Sequence, residues 1–346
     1  MNISRNRAAA FGAAALAVAA AAAAPAEAGF YQGRTVTVVV GFGAGGGADT
    51  FGRLLERHLG DFTPDNPSVI VQNMPGAGGY KAVNHVYNVA PQDGTVVLLT
   101  ASAHATAPAM GKKQARWDMF KFQWLGNLSQ ESQSCVASDR SGIKSIKDAE
   151  KRQIIFGASG KSATSAIQPL LLKNLNGYKL KVIAGYRGVA SQRLAMEKGE
   201  IDATCSFWAS LALGPQRAEM ESGKLVPIVQ MGSKPHPAFR GAPVVYDLAR
   251  NEDDRKVMRF IYGPSEISRP FTLGPKVPTE QVAIMRDAFW KAATSDQMKA
   301  DAKKIGILLN PQRWNEVITD FKAALDVPQK IVDRAAWGIV DHEGKK

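Results

Sequence analysis

The chain alternates between short β-branched segments and longer segments whose apolar residues recur at helical spacing. Residues 35–40 read Thr-Val-Thr-Val-Val-Val, a run typical of a strand that is buried on both faces in a parallel sheet. A helical pattern follows over 48–59, and the order then repeats with strands at 68–72 and 95–100 and a helix at about 80–90. This order predicts a β-α-β-α-β unit with a parallel sheet and right-handed crossovers.

A second unit of the same kind begins near residue 125. Its predicted strands are 134–137, 153–156, 181–184, 203–207 and 225–231, and its predicted helices are 162–175 and 188–198. The C-terminal third is predicted to be mostly helical, with helices at 278–294, 295–305 and 311–325. We therefore expect a two-lobed α/β fold in which each lobe is a mostly parallel sheet flanked by helices. Residues 29–126 and 232–346 are expected to form lobe 1, and residues 127–231 lobe 2, with a cleft between them.

The first 28 residues have the composition of a secretory signal peptide. Arg5 and Arg7 form a basic start, residues 8–24 are apolar and rich in alanine, and Ala26-Glu27-Ala28 offers the small residues that signal peptidase needs. A membrane-anchoring helix is the alternative, but alanine is weakly apolar and a span needs about 20 strongly apolar residues. We predict cleavage after Ala28 and a periplasmic location.

The net charge narrows the class of partner. The chain has 43 Lys and Arg against 31 Asp and Glu, a net charge of +12. Two arginines and one glutamate belong to residues 1–28, so the predicted mature chain carries +11. Because we expect the protein outside the cytoplasm, this charge does not indicate nucleic-acid binding. It favours attraction for small anions, or for an acidic membrane surface or partner.

The residue types that carry catalysis or bind metals form no convincing pattern. Five histidines are scattered without metal-ligand spacing, and Ser141-Gly-Ile-Lys144 matches S-x-x-K without the accompanying K-T-G. We therefore predict no enzyme activity, no metal and no cofactor. Cys135 and Cys205 could form one disulfide in an oxidising compartment, and the sequence leaves this open.

A glycine-rich loop follows the first predicted strand and has two interpretations. Gly41–Gly46 has the spacing G-x-G-x-x-G, which in a dinucleotide fold would indicate a secreted NAD-dependent oxidoreductase. Asp49, at the start of the helix, would repel a pyrophosphate, and no acidic residue ends the second strand. The glycine amides and the helix N-terminus can instead hold a carboxylate. We interpret Asp49 as a helix cap in preference to a ligand contact.

Two further turns rich in small residues also connect a predicted strand to a helix. They are Pro75–Gly79 after the second strand, and Gly157–Thr164 in the second unit. Open α/β sheets bind ligands at the carboxyl ends of their strands, where these turns lie. The three turns together predict an anion-binding cleft with contacts from both lobes.

These motifs, in this order, resemble the tripartite tricarboxylate transporter receptors, also called the TctC or Bug family of extracytoplasmic solute-binding proteins. The segments that carry the resemblance are Thr37–Asp49, Asn73–Gly79, Ala90–Gly94, Gly157–Gly160, Gly185–Gly188, Lys198–Asp202, Ser222–Leu225 and Pro275–Pro278. The resemblance implies a type II, Venus-flytrap binding protein that captures a small organic mono- or dicarboxylate and delivers it to membrane permease subunits. A monomer is expected. A ligand-sensing receptor of the same fold is an alternative.

The resemblance also implies the ligand contacts. In the first lobe these are Phe42, Gly46, Ala48, Asp49, Gly76, Ala77, Gly78, Gly79, Ser102 and Ala103, and in the second lobe Ser159, Ser162, Ala163 and Thr164. The chain departs from the family where an Asp is common, because Ser206 stands there and Phe207 and Trp208 follow. We expect these three residues to contact the ligand as well, and the aromatic pair to favour a larger or more apolar ligand.

Overall fold

The computed structural model describes residues 29–214, 216–307 and 309–342, so the predicted signal peptide lies outside the described residues. The strands are β1 (Thr35–Val40), β2 (Ser68–Asn73), β3 (Val96–Leu99), β4 (Gln123–Asn127), β5 (Gln133–Ser138), β6 (Ile154–Ala158), β7 (Leu180–Ala184), β8 (Ala203–Trp208), β9 (Leu225–Gln230), β10 (Pro270–Leu273) and β11 (Gln312–Arg313). The helices are α1 (Gly47–Phe62), α2 (Tyr80–Asn88), α3 (Ala103–Thr106), α4 (Thr164–Asn176), α5 (Val189–Lys198), α6 (Ala209–Leu213), α7 (Arg217–Glu221), α8 (Glu252–Tyr262), α9 (Thr279–Thr294), α10 (Asp296–Lys304), α11 (Trp314–Leu325) and α12 (Gln329–Gly338).

The strands form two sheets, with the orders β11-β4-β10-β3-β1-β2 and β7-β6-β8-β5-β9. β1 pairs in parallel with β2 and β3, and β6 pairs in parallel with β7 and β8. β10 runs antiparallel to β3 and β4, and β5 runs antiparallel to β8 and β9. Consequently β1 to β4 share one direction in the first sheet, and β6 to β9 share one direction in the second. The prediction of two mostly parallel sheets flanked by helices is confirmed.

The first sheet is covered by α1 because the apolar residues of both elements fall on facing surfaces. Val36, Val38 and Val40 alternate along β1 and are fully buried against Phe51 and Leu55 of α1. Burying each such side chain contributes about 1.5–3 kcal/mol. The β-branched run and the helical spacing of the apolar residues thus fold as the sequence predicts.

Helices α8 and α12 lie outside the predicted elements and pack on the second lobe. The Asn251 side chain accepts a hydrogen bond from the Asp254 N–H and so caps α8. Both helices contact α4 and contribute to the apolar core under the second sheet. Residues 232–346 were expected in lobe 1, and the packing of these two helices departs from that assignment. The position of the lobe boundary itself stays a prediction.

The chain passes between the two sheets at 128–132, 263–269 and 326–328. The first two passages lie side by side and form what we call the hinge ribbon, residues 127–131 and 267–269. Its two halves are joined by the Ser268 hydroxyl, which donates to the Ser129 carbonyl at 2.6 Å, and by the Arg269 N–H, which donates to Asn127 Oδ1 at 2.8 Å. The ribbon therefore fixes the two passages to each other.

Cys135 and Cys205 form a disulfide between the adjacent strands β5 and β8. Both side chains are fully buried, and their Cα atoms lie 3.8 Å apart. The sequence left open whether these cysteines form a disulfide, and the structure contains it. Among the described residues, no helix combines the length and apolar character needed to span a bilayer.

Candidate ligand-binding site

A cleft of about 670 Å³, its open mouth included, lies between the two sheets. It is lined by Phe42, Gly43, Gly46, Gly47, Ala48, Leu99, Thr100, Ala101, Ser159, Ala163, Thr164, Ser165, Gly188, Val189, Gln192, Ser268 and Arg269. These residues lie at or just after the carboxyl ends of β1, β3, β6 and β7, except for Ser268 and Arg269, which belong to the hinge ribbon. Both lobes and the connection between them therefore contribute to one cavity.

The strand order explains why the cleft forms at this edge. In each sheet the first parallel strand lies between the next two, as β2-β1-β3 and β7-β6-β8. The connections from β1 and β3 consequently leave the sheet in opposite directions and open a crevice at its carboxyl edge, as do those from β6 and β8. In a dinucleotide-binding fold the third strand lies beside the second, so this order does not support the oxidoreductase interpretation.

Three helices begin at the cleft. Gly47 and Ala48 start α1, Thr164 and Ser165 start α4, and Val189 starts α5. The helices have 16, 13 and 10 residues, so each carries a partial positive charge and unpaired N–H groups at its N-terminus. No acidic side chain occurs among the described residues that line the cleft. The arrangement suits an anion.

Arg269 is a buried cationic residue among those that line the cleft. It is only 2% exposed, its Nη1 donates to the Ser268 carbonyl at 2.7 Å, and its guanidinium lies 4.6 Å from the centre of the Phe51 ring. Burial lowers its pKa to about 10, an effect that the Glu131 carboxylate, 3.9 Å away, partly opposes. Arg269 therefore keeps its charge at neutral pH. The sequence analysis missed it, because a single arginine in Ser-Arg-Pro has no recognisable pattern.

Gln192 is a second buried polar residue that the sequence analysis missed. Its Oε1 accepts a hydrogen bond from the Thr204 hydroxyl at 2.6 Å, and that hydroxyl also contacts the Gly157 carbonyl. These bonds fix the amide at the start of α5. Ser165, on the neighbouring wall, accepts a hydrogen bond from the Ser159 N–H at 3.2 Å and so shapes the loop before α4.

Asp49 holds the glycine loop together from inside the first turn of α1 and is not the helix cap that the sequence analysis expected. Its Oδ2 accepts hydrogen bonds from the Gly45 N–H and from Arg53, and its Oδ1 accepts one from Asn73. Burial alone would raise the pKa of this carboxyl, but the three donors outweigh it and lower the pKa. Asp49 does not line the cleft. Gly46, not Asp49, occupies the N-cap position of α1.

The turn at Gly76–Gly79 contacts the opposite lobe. Gly78 has φ +67°, and a Cβ there would lie 2.5 Å from the Ala163 nitrogen. Gly76, Gly78 and Gly79 line a smaller pocket that shares Phe42 and Ser159 with the main cleft. The turn thus borders the site mainly as a close contact between the lobes, and glycine is required because the backbones approach so closely.

His104 holds this turn against the end of β3. Its Nδ1 accepts a hydrogen bond from the Ala101 N–H, so its Nε2–H donates to the Gly78 carbonyl at 2.9 Å. Complete burial lowers its pKa to about 4, although the bond to Gly78 opposes this. The ring is therefore neutral at pH 7, and it connects the turn with Thr100 and Ala101 on the cleft wall.

The remaining predicted contacts fall into three groups. Phe42, Gly46, Ala48, Ser159, Ala163 and Thr164 line the main cleft. Ser102 and Ala103 are buried behind it, Ala77 is exposed, and Ser162 is hydrogen-bonded to Tyr80. Ser206, Phe207 and Trp208 lie on β8, but their side chains are outside what the structure describes, so their contact with a ligand stays a prediction.

Two curated proteins are similar in sequence. A UPF0065 protein encoded in the TAR-I ttuE-ttuC' intergenic region of Agrobacterium vitis is 27% identical over 181 residues, 51% of this chain and 51% of that protein. A UPF0065 protein encoded in the gbd 5' region of Cupriavidus necator is 27% identical over 223 residues, 62% of this chain and 64% of that protein. The chain thus spans about half to two thirds of the length of these relatives.

Several solved structures share the fold. The periplasmic binding protein BugD superposes with a TM-score of 0.67 at 19% identity, over 87% of this chain and 98% of that one. MatC from Rhodopseudomonas palustris, solved with bound malate, superposes with a TM-score of 0.67 at 20% identity, over 88% of this chain and 99% of that one. An R. palustris protein solved with adipate superposes with a TM-score of 0.65 at 19% identity, over 87% of this chain and 97% of that one. The two-lobed periplasmic binding fold is therefore shared across nearly the whole described chain.

The family assignment comes from a sequence profile. The profile described as "Tripartite tricarboxylate transporter family receptor" matches residues 65–265, more than half of the chain. This stretch includes the second and third predicted turns and the first half of the hinge ribbon, residues 127–131. The resemblance found in the sequence is confirmed, and the chain belongs to the tripartite tricarboxylate transporter receptor family.

Proposed function

We propose that the protein captures a small organic carboxylate in its cleft, outside the cytoplasm, and delivers it to the membrane subunits of a tripartite tricarboxylate-type permease. The observation that carries this proposal is the convergence of the N-termini of α1, α4 and α5 on a cleft whose described lining has no acidic side chain. An uncharged solute would gain little from such an environment.

The N-termini of α1, α4 and α5, whose first residues line the cleft, would bind the carboxylate through their N–H groups. A hydrogen bond to a charged group contributes about 1.5–3 kcal/mol, so a few such bonds account for micromolar affinity. The lobes touch beside the cleft, through Gly78 and Ala163, and a carboxylate bound between them would be partly removed from water. A lower local dielectric then strengthens the charge interactions.

The comparisons support the same class of ligand. MatC holds malate and a second related structure holds adipate, and both ligands are organic acids. Family membership supports a role as a transport receptor, and the signal-peptide composition of residues 1–28 supports a periplasmic location. The protein would act as a monomer and without catalysis.

A thermal-shift screen followed by calorimetry tests the ligand class. We expect mono- or dicarboxylates to raise the melting temperature, while sugars and amino acids leave it unchanged. A rise with a sugar or an amino acid, and with no organic acid, would overturn the proposal. Delivery is tested by uptake of the labelled acid into vesicles that carry the permease subunits, which should require this protein.

A matched pair of variants locates the site. Val189→Asp adds a carboxylate at the first position of α5, where it stabilises the helix and competes with the bound anion. We expect at least a tenfold loss of acid affinity with an unchanged fold. Val89→Asp, at a residue that is 73% exposed and off the cleft, serves as the control and should bind normally.

A further inference from the structure

Gln192 carries a hydrogen-bond donor that has no partner and borders the cleft. It lies one turn into α5, lines the cavity and is only 1% exposed. We propose, on the basis of the proposed function, that its Nε2 donates a hydrogen bond to a carboxylate oxygen of the bound acid. Thr204 is the positioning residue, because its hydroxyl fixes which end of the amide faces the ligand.

The bond between Thr204 and Gln192 sets the orientation of the amide. The hydroxyl oxygen lies 2.6 Å from Gln192 Oε1, a separation typical of an O–H···O bond and shorter than the usual range for N–H···O. The hydroxyl is itself held in the second sheet, since it also contacts the carbonyls of Gly157 and Cys205 at 3.3 Å. Oε1 therefore faces β8, and Nε2 is the end of the amide that is left for a ligand.

Nε2 of Gln192 donates to no group in the described part of the chain, and protein does not enclose it. It is not among the side-chain atoms that are sealed in without a hydrogen bond, so it keeps accessible surface. Nε and Nη2 of Arg269, which borders the same cavity, are enclosed by contrast. Leaving a desolvated donor unpaired costs about 1–3 kcal/mol, so a ligand that displaces water from Gln192 must supply an acceptor.

The geometry of α5 brings this donor to a place that favours an anion. Gln192 lies four residues after Gly188, the N-cap of α5, so the two residues share one face of the helix, and both border the cavity. Side chains on a helix lean towards its N-terminus. A carboxylate at this end would therefore receive hydrogen bonds from the unpaired N–H groups of the first turn and from Nε2 together.

The Ser165 hydroxyl is a second donor on the same side of the cleft. It accepts a hydrogen bond from the Ser159 N–H and donates none to a described residue, and Ser165 lines the cavity at the start of α4. Among the lining residues 42–101 of the first lobe, the Thr100 hydroxyl is bonded to His104 Nδ1 at 2.7 Å, and the other side chains are those of Phe, Leu and Ala. The free side-chain donors thus favour a carboxylate on the second-lobe wall.

Calorimetry with adipate, malate, hexanoate and benzoate first identifies an acid that the wild-type protein binds. Gln192→Met keeps an unbranched side chain but removes the donor, and it should weaken binding of that acid about 10- to 100-fold. Gln192→Glu keeps an oxygen for Thr204 but presents a carboxylate to the ligand, so the loss should be larger. Gln297→Met and Gln297→Glu, at an exposed position near the start of α10, are the controls and should bind as the wild type does.

Thr204→Val tests the positioning role. Valine has the shape of threonine without the hydroxyl, so the amide of Gln192 can rotate and must be ordered again on binding. We expect acid affinity to fall about two- to tenfold. The double variant Gln192→Met, Thr204→Val should bind no more weakly than Gln192→Met alone, because both residues act through one hydrogen bond. Additive losses would overturn the positioning role of Thr204.

A crystal structure of the wild-type protein with the acid decides the question even if the variants fail to fold. Gln192 Nε2 should lie within hydrogen-bonding distance of a carboxylate oxygen, and a carboxylate held elsewhere in the cleft would contradict the inference. If neither these acids nor the carboxylates of the thermal-shift screen bind to the wild-type protein, the proposed function fails as well. Acid binding that is unchanged in Gln192→Met overturns this inference alone.

Discussion

The backbone N–H of Gly43 donates a hydrogen bond to the carbonyl oxygen of Arg187, with 3.1 Å between the two atoms. Gly43 lies in the loop after β1 of the first sheet, and Arg187 follows β7 of the second. A Cβ at Gly43 would come within 3.1 Å of the same oxygen, so a larger residue would crowd this contact. The lobes thus meet through their main chains at one side of the cleft.

Gly78→Ala should interfere with the second contact of this kind. Its Cβ would lie 2.5 Å from the Ala163 nitrogen, so we expect the lobes to separate and acid affinity to fall at least tenfold. Small-angle X-ray scattering should report a larger radius of gyration. Gly177→Ala is the matched control, since Gly177 has a similar φ of +72° but nothing within 4 Å of the added Cβ.

Both glycine variants should lose about 1–2 kcal/mol of unfolding free energy, because alanine is strained in the left-handed region. Only Gly78→Ala should lose affinity and compactness. Equal affinities in the two variants would show that the contact between Gly78 and Ala163 is irrelevant to binding.

Asp49→Asn should destabilise the glycine loop. The carboxylate accepts hydrogen bonds from Gly45, Arg53 and Asn73, and an amide cannot accept all three, so we expect a loss of about 1–3 kcal/mol in urea unfolding. Asp61→Asn, at an exposed position in the same helix, should stay within about 0.5 kcal/mol of wild type.

The pH dependence of the Asp49→Asn difference follows from its lowered pKa. The folded chain holds the carboxylate more tightly ionised than the unfolded chain, whose pKa is the ordinary 3.8. The advantage of the wild type should therefore be complete above pH 3.8 and decline as the pH falls below that value. A difference that declines at higher pH would contradict the assigned hydrogen bonds.

His104 should make the protein less stable in mild acid. The unfolded chain protonates this ring with an ordinary pKa of 6.5, whereas in the folded chain the pKa is about 4. Between these values the unfolded state binds more protons, so the free energy of unfolding should fall by about 3 kcal/mol as the pH drops from 6.5 to 4.

Other titrating groups also change the stability of the protein with pH. Comparing the wild type with His104→Gln, which lacks the ring, isolates the contribution of His104. The deficit of His104→Gln relative to wild type should be largest at pH 7.5 and should shrink by about 3 kcal/mol at pH 4. His342→Gln, at an exposed ring, is the control and should follow the wild-type curve. A constant deficit at all pH values would mean that folding does not lower the pKa of this ring.

The disulfide between Cys135 and Cys205 should contribute substantially to stability. It closes a segment with a sequence separation of 70, for which the loss of chain entropy in the unfolded state corresponds to about 4 kcal/mol. We expect the double variant Cys135→Ala, Cys205→Ala to unfold at lower denaturant than wild type. Its unfolding should not respond to reductant, and a midpoint equal to that of the oxidised wild type would contradict the prediction.

Local patterns predicted the parts of the fold that depend on local interactions. The β-branched run of β1, the helical spacing of α1 and the glycine turns after β1 and β6 all lie where the sequence indicates them. Helix α8 carries a recognisable signal too, since Asn251 precedes three acidic residues at its start. The irregular, proline-rich region before it obscured this signal.

The rest of the site depends on relationships that no local pattern contains. Thr100 and Ala101 line the cleft, in place of the expected Ser102 and Ala103, because β3 lies beside β1 in the sheet. Arg269 borders the cleft because it directly precedes β10, which inserts between β3 and β4. Strand order is set by tertiary packing, so these neighbours could not be predicted from spacing alone.

The three passages of the chain between the sheets restrict how the lobes can move. Two passages are bonded side by side in the hinge ribbon, and the third, at 326–328, connects α11 on the first sheet to α12 on the second. Because three chain segments connect the two lobes, we expect the lobes to bend about the hinge ribbon but to resist twisting relative to each other. We therefore expect the ligand-free protein to sample few orientations of its lobes, and ligand binding to cost correspondingly little conformational entropy.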